Sequence, residues 1–197
     1  MPDTGQEVTY PLCFRDTDGR MVLRLKYEGV TLRADRLEWT AEGRFEERYV
    51  DIESIGLTVG YVPRSGAIGN CRIIFRNLRT LNVTSSNATG LPDEARGEAY
   101  AAFLRDLHGR LSEADRRRIA FRAGNSQARE NFGWVVMAVA GVLFVGLPLG
   151  LFFFTREWKA LGLMLAGGAL VWPLWNTLRK NRPRTYDPQH LDEDVFP

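Results

Sequence analysis

Short stretches in which apolar and polar residues alternate fill the first half of the chain. In the clearest of them, the apolar residues Met21, Leu23, Leu25 and Tyr27 alternate with Val22, Arg24 and Lys26. Successive strand residues face opposite sides of a sheet, so this alternation predicts strands with one buried face. The predicted strands are Val8–Arg15, Met21–Tyr27, Val30–Arg33, Arg36–Trp39, Arg44–Val50, Ile55–Tyr61, Cys71–Arg76 and Thr80–Thr84. Their number and spacing predict an antiparallel β-barrel or sandwich.

A different periodicity follows the strands. Apolar residues recur there at helical spacing and form one stripe: Tyr100, Phe103, Leu104, Leu107 and Leu111. Pro92 suits the first turn of a helix, and Asp93 and Glu94 lie where the helix dipole favours negative charge. We therefore expect one amphipathic helix that closes the β-structure, giving an α+β domain over residues 1–111.

The second half of the chain contains two long uncharged runs, residues 131–155 and 160–178. The stretch Trp134–Phe154 spans roughly 30 Å as a helix, which matches the hydrocarbon core of a bilayer. Only five residues, Thr155–Lys159, separate the two runs. We therefore expect a transmembrane helical hairpin over 131–178, with helices at about 132–154 and 160–178. It lies between a basic connector, 112–130, and a solvated tail, 179–197.

Basic residues flank this predicted hairpin on its outer sides. Several precede the first run, four follow the second, and only Arg156 and Lys159 lie between the runs. The positive-inside bias places both termini in the cytoplasm. The first residues, Met1–Glu7, lack the pattern of a secretory signal peptide, which agrees with that orientation. Tryptophans near the predicted span ends suit the membrane interfaces: Trp134, Trp158, Trp172 and Trp175.

Small residues at four-residue spacing lie within both runs. Gly146 and Gly150 form one such pair, and Gly162 and Ala166 form another. Small residues let helix backbones approach closely in lipid. These four residues are therefore predicted to pack helices, either the two spans against each other or a span against another subunit. Pro148 and Pro173 are expected to kink their helices.

Composition and charge narrow the function classes. The chain of 197 residues carries 26 Lys and Arg against 24 Asp and Glu, a net charge near +2, and 45% of it is apolar. These values exclude disorder over most of the chain and give no reason to expect a nucleic-acid partner.

The two cysteines, Cys13 and Cys71, are expected to be reduced and buried. His108 and His190 lack partners at metal-site spacing, so we expect no metal, no cofactor and no catalytic residue.

Two segments are candidate binding sites. Arg116, Arg117, Arg118 and Arg122 precede the first span, where they would contact anionic lipid. The alternative is that they only set the membrane topology. The glycine-rich segment 60–70 is predicted to be a flexible loop, in which Tyr61, Arg64 and Ser65 would contact a partner. The end of the tail, Asp194–Pro197, is a further candidate docking peptide.

Three segments carry a resemblance to a known kind of protein. Tyr27–Trp39 and Tyr49–Leu57 resemble strand segments of a bacterial pleckstrin-homology-like (PH-like) barrel, and Tyr100–Leu111 resembles its closing helix. The chain also resembles small alphaproteobacterial membrane proteins that join such a domain to a two-helix transmembrane hairpin and end in a segment like Asn181–Tyr186. This resemblance implies a bacterial inner-membrane protein and brings no catalytic residue with it.

These observations predict a membrane-anchored, non-enzymatic binding or adaptor module that presents a PH-like domain at the cytoplasmic face. Its partner would be a protein or a membrane complex. The alternative is an anionic-lipid sensor that uses the juxtamembrane arginines.

Overall fold

Two β-sheets and four α-helices make up the described part of the computed structural model, which covers residues 7–17, 29–40, 43–62, 65–124, 127–156, 162, 165–169, 171–172, 175, 179 and 182–197. The strands are β1 Val8–Tyr10, β2 Cys13–Thr17, β3 Val30–Leu32, β4 Arg36–Thr40, β5 Arg44–Arg48, β6 Ile52–Val62, β7 Gly66–Phe75, β8 Thr80–Thr84, β9 Ala120–Ala123 and β10 Arg184–Thr185. The helices are α1 Glu94–Arg110, α2 Glu113–Arg118, α3 Gln127–Gly141 and α4 Leu147–Thr155. The predicted α+β class is confirmed.

The chain divides into two compact units. The first comprises residues 1–123 and 184–197, and the second comprises residues 124–183. We call them the β unit and the apolar unit. In the β unit, the strand order is β1-β3-β4-β5 in one sheet and β10-β9-β6-β7-β8-β2 in the other. The strand neighbours are antiparallel except for β6 and β9, which are parallel.

The prediction of one strand over Val8–Arg15 is wrong, because the chain bends at Pro11 and Leu12. The Leu12 N–H donates to the Tyr10 carbonyl across 2.8 Å, which turns the backbone tightly. Proline has no N–H for a sheet, so a continuous strand would lose a ladder bond here. β1 consequently pairs with β3, and β2 pairs with β8 in the other sheet. The predicted strand Met21–Tyr27 and its Asp18-Gly19 turn lie outside the described residues.

The predicted flexible loop over residues 60–70 is also wrong. β6 and β7 pair continuously from Ile55 and Ile73 out to Val62 and Gly66, so the segment is the end of a long hairpin. Glycine is depleted in strands, which hid the pattern. At Gly69 the packing requires glycine, since a Cβ there would lie 2.4 Å from Cε1 of Tyr100. The aromatic ring of α1 therefore rests directly on the β7 backbone.

The core of the β unit lies between the two sheets and α1. All five residues of the predicted helical stripe are buried in it, which confirms that prediction. Asp93 is the N-cap of α1 and accepts a hydrogen bond from the Arg96 N–H, so Pro92 lies just before the helix and not in its first turn. Cys13 and Cys71 are free and buried, as predicted.

The β unit includes residues 112–123 of the predicted connector and residues 184–197 of the predicted tail, so it extends beyond the predicted boundary at 111. β9 lies beside β6, and β10 lies beside β9. Tyr186 is 7% exposed and Val195 is 2% exposed, and both join the core cluster. The segment 184–197 is therefore anchored to the β unit at these two residues and by β10, although most of its other residues are exposed.

Among the described residues of the apolar unit, one helix is long and apolar enough to cross a membrane, Glu130–Phe154. Only 11% of its most apolar window is buried inside the protein. Residues Val142–Gly146 within it are π-helical, directly before the helical residues Leu147 and Pro148. A π-turn is one way for a helix to accommodate a proline. The predicted kink at Pro148 stays a prediction.

The predicted second span, 160–178, lies mostly outside the described residues. Its described members at 165–169 are helical. Gly167 lies against the first helix, because a Cβ there would be 2.6 Å from the Phe144 carbonyl oxygen. The rings of Trp134 and Trp175 meet edge to face, with centroids 5.3 Å apart. Trp134 precedes Phe144 in the first helix, whereas its partner Trp175 follows Gly167 in the second segment. The two segments therefore run antiparallel.

Candidate functional site

The four predicted lipid-binding arginines do not form one cluster. Arg117 is exposed on α2 and pairs with Glu113 one turn earlier. Arg118 donates to the carbonyls of Ile52 and Tyr49 and pairs with Asp115. Arg118 therefore joins α2 to the start of β6. Arg122 lies apart from both, on the exposed side of β9.

Arg116 lines a cleft between helices α1 and α2 and residues 184–197, which we call the C-terminal segment of the β unit. The cleft has a volume of about 650 Å³. Its lining combines two guanidinium groups and an imidazole with residues of the C-terminal segment: Arg105, His108, Gly109, Arg116, Pro188, Gln189, Leu191, Glu193 and Phe196. The Arg116 side chain donates to the His108 carbonyl across 2.9 Å, and the Arg105 guanidinium lies 5.0 Å from the Phe196 ring centroid.

His108 is buried in the wall of this cleft and both of its ring nitrogens have partners. Nδ1 lies 2.7 Å from the Leu104 carbonyl, which can only accept, so Nδ1 carries the proton. Nε2 then accepts from the Tyr186 hydroxyl across 2.8 Å. Burial lowers the pKa of His108 to about 4, and the positive charge of Arg116 acts in the same direction. The ring is neutral at physiological pH, and its hydrogen bonds link α1 to the C-terminal segment.

A second buried polar group joins α1 to β1. The Arg110 guanidinium contacts both carboxylate oxygens of Asp106, at 2.8 and 3.0 Å, and the Tyr10 hydroxyl donates to the same carboxylate across 3.0 Å. Burial and that hydrogen bond raise the pKa of Tyr10 to about 12. The carboxylate thus has three donors within hydrogen-bond distance, which makes this group a structural network. The sequence shows Asp106 and Arg110 four residues apart, but only the fold brings Tyr10 to them.

The predicted partner-contact residues lie at the end of the β6–β7 hairpin. Tyr61 is 64% exposed, near the end of β6, and Ser65 is exposed in the turn. Arg64 lies outside the described residues. A tyrosine this exposed at a hairpin end offers a large amphipathic surface of the type enriched at protein interfaces.

The predicted helix-packing residues lie apart from the close contact in the apolar unit. In the described part of the chain, no atom outside the local helix lies within 4 Å of a Cβ built on Gly150 or Gly162, and Gly146 and Ala166 are exposed. The close contact is made by Gly167, one residue after Ala166. The four predicted residues therefore remain candidates for contact with another subunit.

Neither the arrangement of possible metal ligands nor comparison with known proteins indicates a further site. Among the described residues, no group of three or more His, Cys, Asp or Glu side chains is placed to hold a metal ion. No family model, no curated protein and no solved structure matches the chain. The PH-like and alphaproteobacterial resemblances therefore stay predictions.

Proposed function

We propose that this protein is a membrane-tethered binding module. Its apolar unit is a two-span hairpin in the bacterial inner membrane, and its β unit is a PH-like domain held at the cytoplasmic face. The module binds a protein partner or organises a membrane complex, and performs no catalysis.

The observation that carries the proposal is the pairing of β9 with β10. Ala123 and Arg184 are direct register partners in an antiparallel pair. Such partners have Cα atoms about 5 Å apart, so residues 124–183 leave the β unit and return to it at one place. A bilayer-inserted segment with its two ends together crosses an even number of times. The antiparallel contacts of Phe144 with Gly167 and of Trp134 with Trp175 support two crossings.

The surface of the first helix supports insertion into lipid. Apolar side chains that a water-soluble protein would bury are instead exposed: Val135, Val139, Val142, Leu143, Leu147, Leu151, Phe153 and Phe154. Apolar patches of this extent are rare on soluble monomers. The helix of 25 residues is about 37 Å long, which exceeds the hydrocarbon thickness of roughly 30 Å.

The state of the titratable groups supports binding over catalysis. A general acid or base works best with a pKa near the operating pH and with a free nitrogen or oxygen. His108 has neither, because its pKa is about 4 and both nitrogens are engaged. The surface offered to a partner is the hairpin end that carries Tyr61.

The partner surface is tested with a photo-crosslinking amino acid at position 61 in the full-length protein in native membranes. We expect discrete adducts at position 61. The matched control is position 78, since Leu78 is also apolar and is 78% exposed in the turn between β7 and β8. Equal adduct patterns at both positions, or none at position 61, would contradict the proposed partner surface.

A further inference from the structure

We propose that the outer face of the six-stranded sheet binds the phosphate groups of anionic phospholipids through Arg15, Arg72 and Arg122. This site is distinct from the Arg116–Arg118 segment. It rests on the proposed membrane tether, since the bilayer that holds the apolar unit supplies the lipid.

The three arginines lie in one register row across the sheet. Each position is the direct partner of the next, in the order Arg15, Asn82, Arg72, Gly56, Arg122 and Thr185. Their sequence neighbours Phe14, Cys71, Ile73, Phe121 and Ala123 are buried, so the arginine row faces outward. Neighbouring strands are about 4.8 Å apart, which spaces successive arginines by about 10 Å.

The row carries positive charge that no carboxylate in the described part of the chain neutralises. Most other arginines of the β unit have carboxylate partners: Arg33, Arg36, Arg44, Arg79, Arg96, Arg110, Arg117, Arg118 and Arg184. Within the described residues, no ion pair includes Arg15, Arg72 or Arg122. In addition, Nε of Arg15 is buried without a hydrogen-bond partner in that part of the chain. That nitrogen is enclosed by the protein, so the exposed part of the row that an outside anion can reach is formed by Arg72 and Arg122.

The accessible register positions beside Arg72 and Gly56 are neutral: Asn70 and Thr58 on one side, and Ile74 and Ser54 on the other. On β2 and β8, by contrast, the neighbouring positions Cys13, Thr80 and Thr84 are buried. None of these positions on the described strands is acidic. The nearest carboxylate along β6 is Glu53, at the strand's bulge and three residues before Gly56. An anion approaching the row therefore meets guanidinium, amide and hydroxyl donors.

Gly56 provides space at the centre of the row. It lies between Arg72 and Arg122 on adjacent strands. A Cβ at this position would approach no atom more closely than 3.8 Å, so core packing does not require glycine here. The missing side chain leaves an open depression between two long cationic side chains. A phosphate group placed over it can be contacted by both guanidinium groups, which are the strongest protein donors for phosphate.

The proposed membrane tether makes phospholipid the phosphate source that this account commits to. Arg122 is eight residues before Glu130, where the long apolar helix begins. Eight residues span at most about 28 Å even when fully extended, so the chain limits the distance between β9 and that end of the helix.

The test uses the full-length protein with Asn82→Cys as a reporter in the row, because the natural cysteines are buried. The protein is placed in nanodiscs of neutral lipid or of neutral lipid with 30% phosphatidylglycerol, roughly the anionic content of a charged leaflet. The rate of maleimide labelling is then measured. Each arginine is expected to contribute about a fivefold preference for the anionic surface. We expect slower labelling in the anionic discs, and salt should restore the neutral-disc rate.

Charge reversal of the row should abolish the protection. The test variant is Arg72→Glu with Arg122→Glu. The control is Arg48→Glu with Arg76→Glu, which makes the same charge change at exposed arginines outside the row. Equal labelling in both lipid compositions, or equal loss of protection in both double variants, would overturn the proposal. In detergent without bilayer, protection by inorganic phosphate or by a DNA duplex would overturn the lipid assignment.

A second measurement distinguishes failure of the lipid-binding face from failure of the membrane tether. Carbonate extraction of the same variants reports insertion of the apolar unit independently of the row. If the protein resists extraction but shows no lipid-dependent protection, the lipid-binding face is wrong and the tether stands. If it is extracted, the tether itself fails.

Discussion

The two units of this chain treat apolar side chains in opposite ways. In the β unit, large apolar residues such as Phe14, Phe75 and Phe103 are fully buried. In the apolar unit, Phe153 is 72% exposed and Phe154 is 92% exposed. Burial of such side chains is the main favourable contribution to folding in water. The β unit therefore supplies its own apolar environment, whereas the apolar unit needs one from outside. A bilayer is the environment that fits its length.

The largest expected effect is on stability, when a phenylalanine in each unit is replaced by alanine. Phe103→Ala leaves a cavity in the β-unit core and should lower the free energy of unfolding of that unit by about 3–5 kcal/mol. Phe153→Ala should change it by less than about 0.5 kcal/mol, because that ring contributes nothing to the β-unit core. Hydrogen exchange of the β7 and β8 amides in detergent measures both. Similar destabilisation by the two variants would break the comparison.

A charge at the middle of the apolar helix should weaken membrane insertion. Leu143 is 50% exposed and lies near the centre of the helix. Leu143→Arg should cost about 3 kcal/mol of insertion free energy, as measured for arginine at helix centres. The fraction of protein that resists carbonate extraction should fall, while Leu143→Ile should behave like the natural protein. Unchanged extraction of the arginine variant would argue against a spanning helix.

A smaller effect should appear in the pH dependence of the β unit. His108 has a pKa of about 4 in the folded protein, against about 6.5 when unfolded. Between these values the unfolded chain binds a proton that the folded protein does not, so stability falls as pH falls. The loss between pH 6.5 and 4.5 should be about 2 kcal/mol. The carboxyl of Glu38 acts in the same direction near pH 4.5, because hydrogen bonds from Arg44 and Arg33 outweigh the effect of burial and lower its pKa in the folded protein. The slope that the histidine contributes is therefore obtained by comparison with a variant that lacks it.

His108→Gln provides the control for this pH dependence. The glutamine side chain is neutral at every pH in the window, so the variant should lose the slope. Denaturant unfolding at pH 6.5 and 4.5 compares the two proteins. The same slope in both would mean that the Tyr186–His108–Leu104 contacts do not hold the ring neutral.

Local patterns in the sequence were sufficient for much of the β unit. β3, β4 and β8 follow from alternation, and the buried face of α1 follows from helical spacing, because each depends on residues close together in the chain. The inner parts of β6 and β7 also follow from alternation, but the start of β7 at Gly66–Asn70 does not, because its glycines remove the apolar signal. Gly69 is glycine for a distant reason, the Tyr100 ring.

Contacts between residues far apart in the chain could not be predicted from the sequence. The arginine run from 116 to 118 has the charge pattern of a membrane flank, but α2 is capped by Ser112, and Arg118 is held by carbonyls more than sixty residues earlier. The docking of the C-terminal segment depends on Tyr186 reaching His108, and no local pattern indicates that contact. The arginine row is likewise visible only once the strand register is known.

The central claim is that residues 124–183 leave the β unit, cross the membrane and return to the same side. The most direct measurement is labelling of single introduced cysteines by a membrane-impermeant maleimide in spheroplasts that express the protein. Cys13 and Cys71 are suitable background, because burial raises the pKa of both thiols. The exposed test positions are Ala88→Cys and Gln189→Cys in the β unit and Arg156→Cys at the end of the apolar helix.

Our account predicts that Arg156→Cys reacts in intact spheroplasts, whereas Ala88→Cys and Gln189→Cys react only after the membrane is opened. Reaction of positions 88 and 189 on opposite sides of the membrane, or reaction of all three on one side, would contradict it.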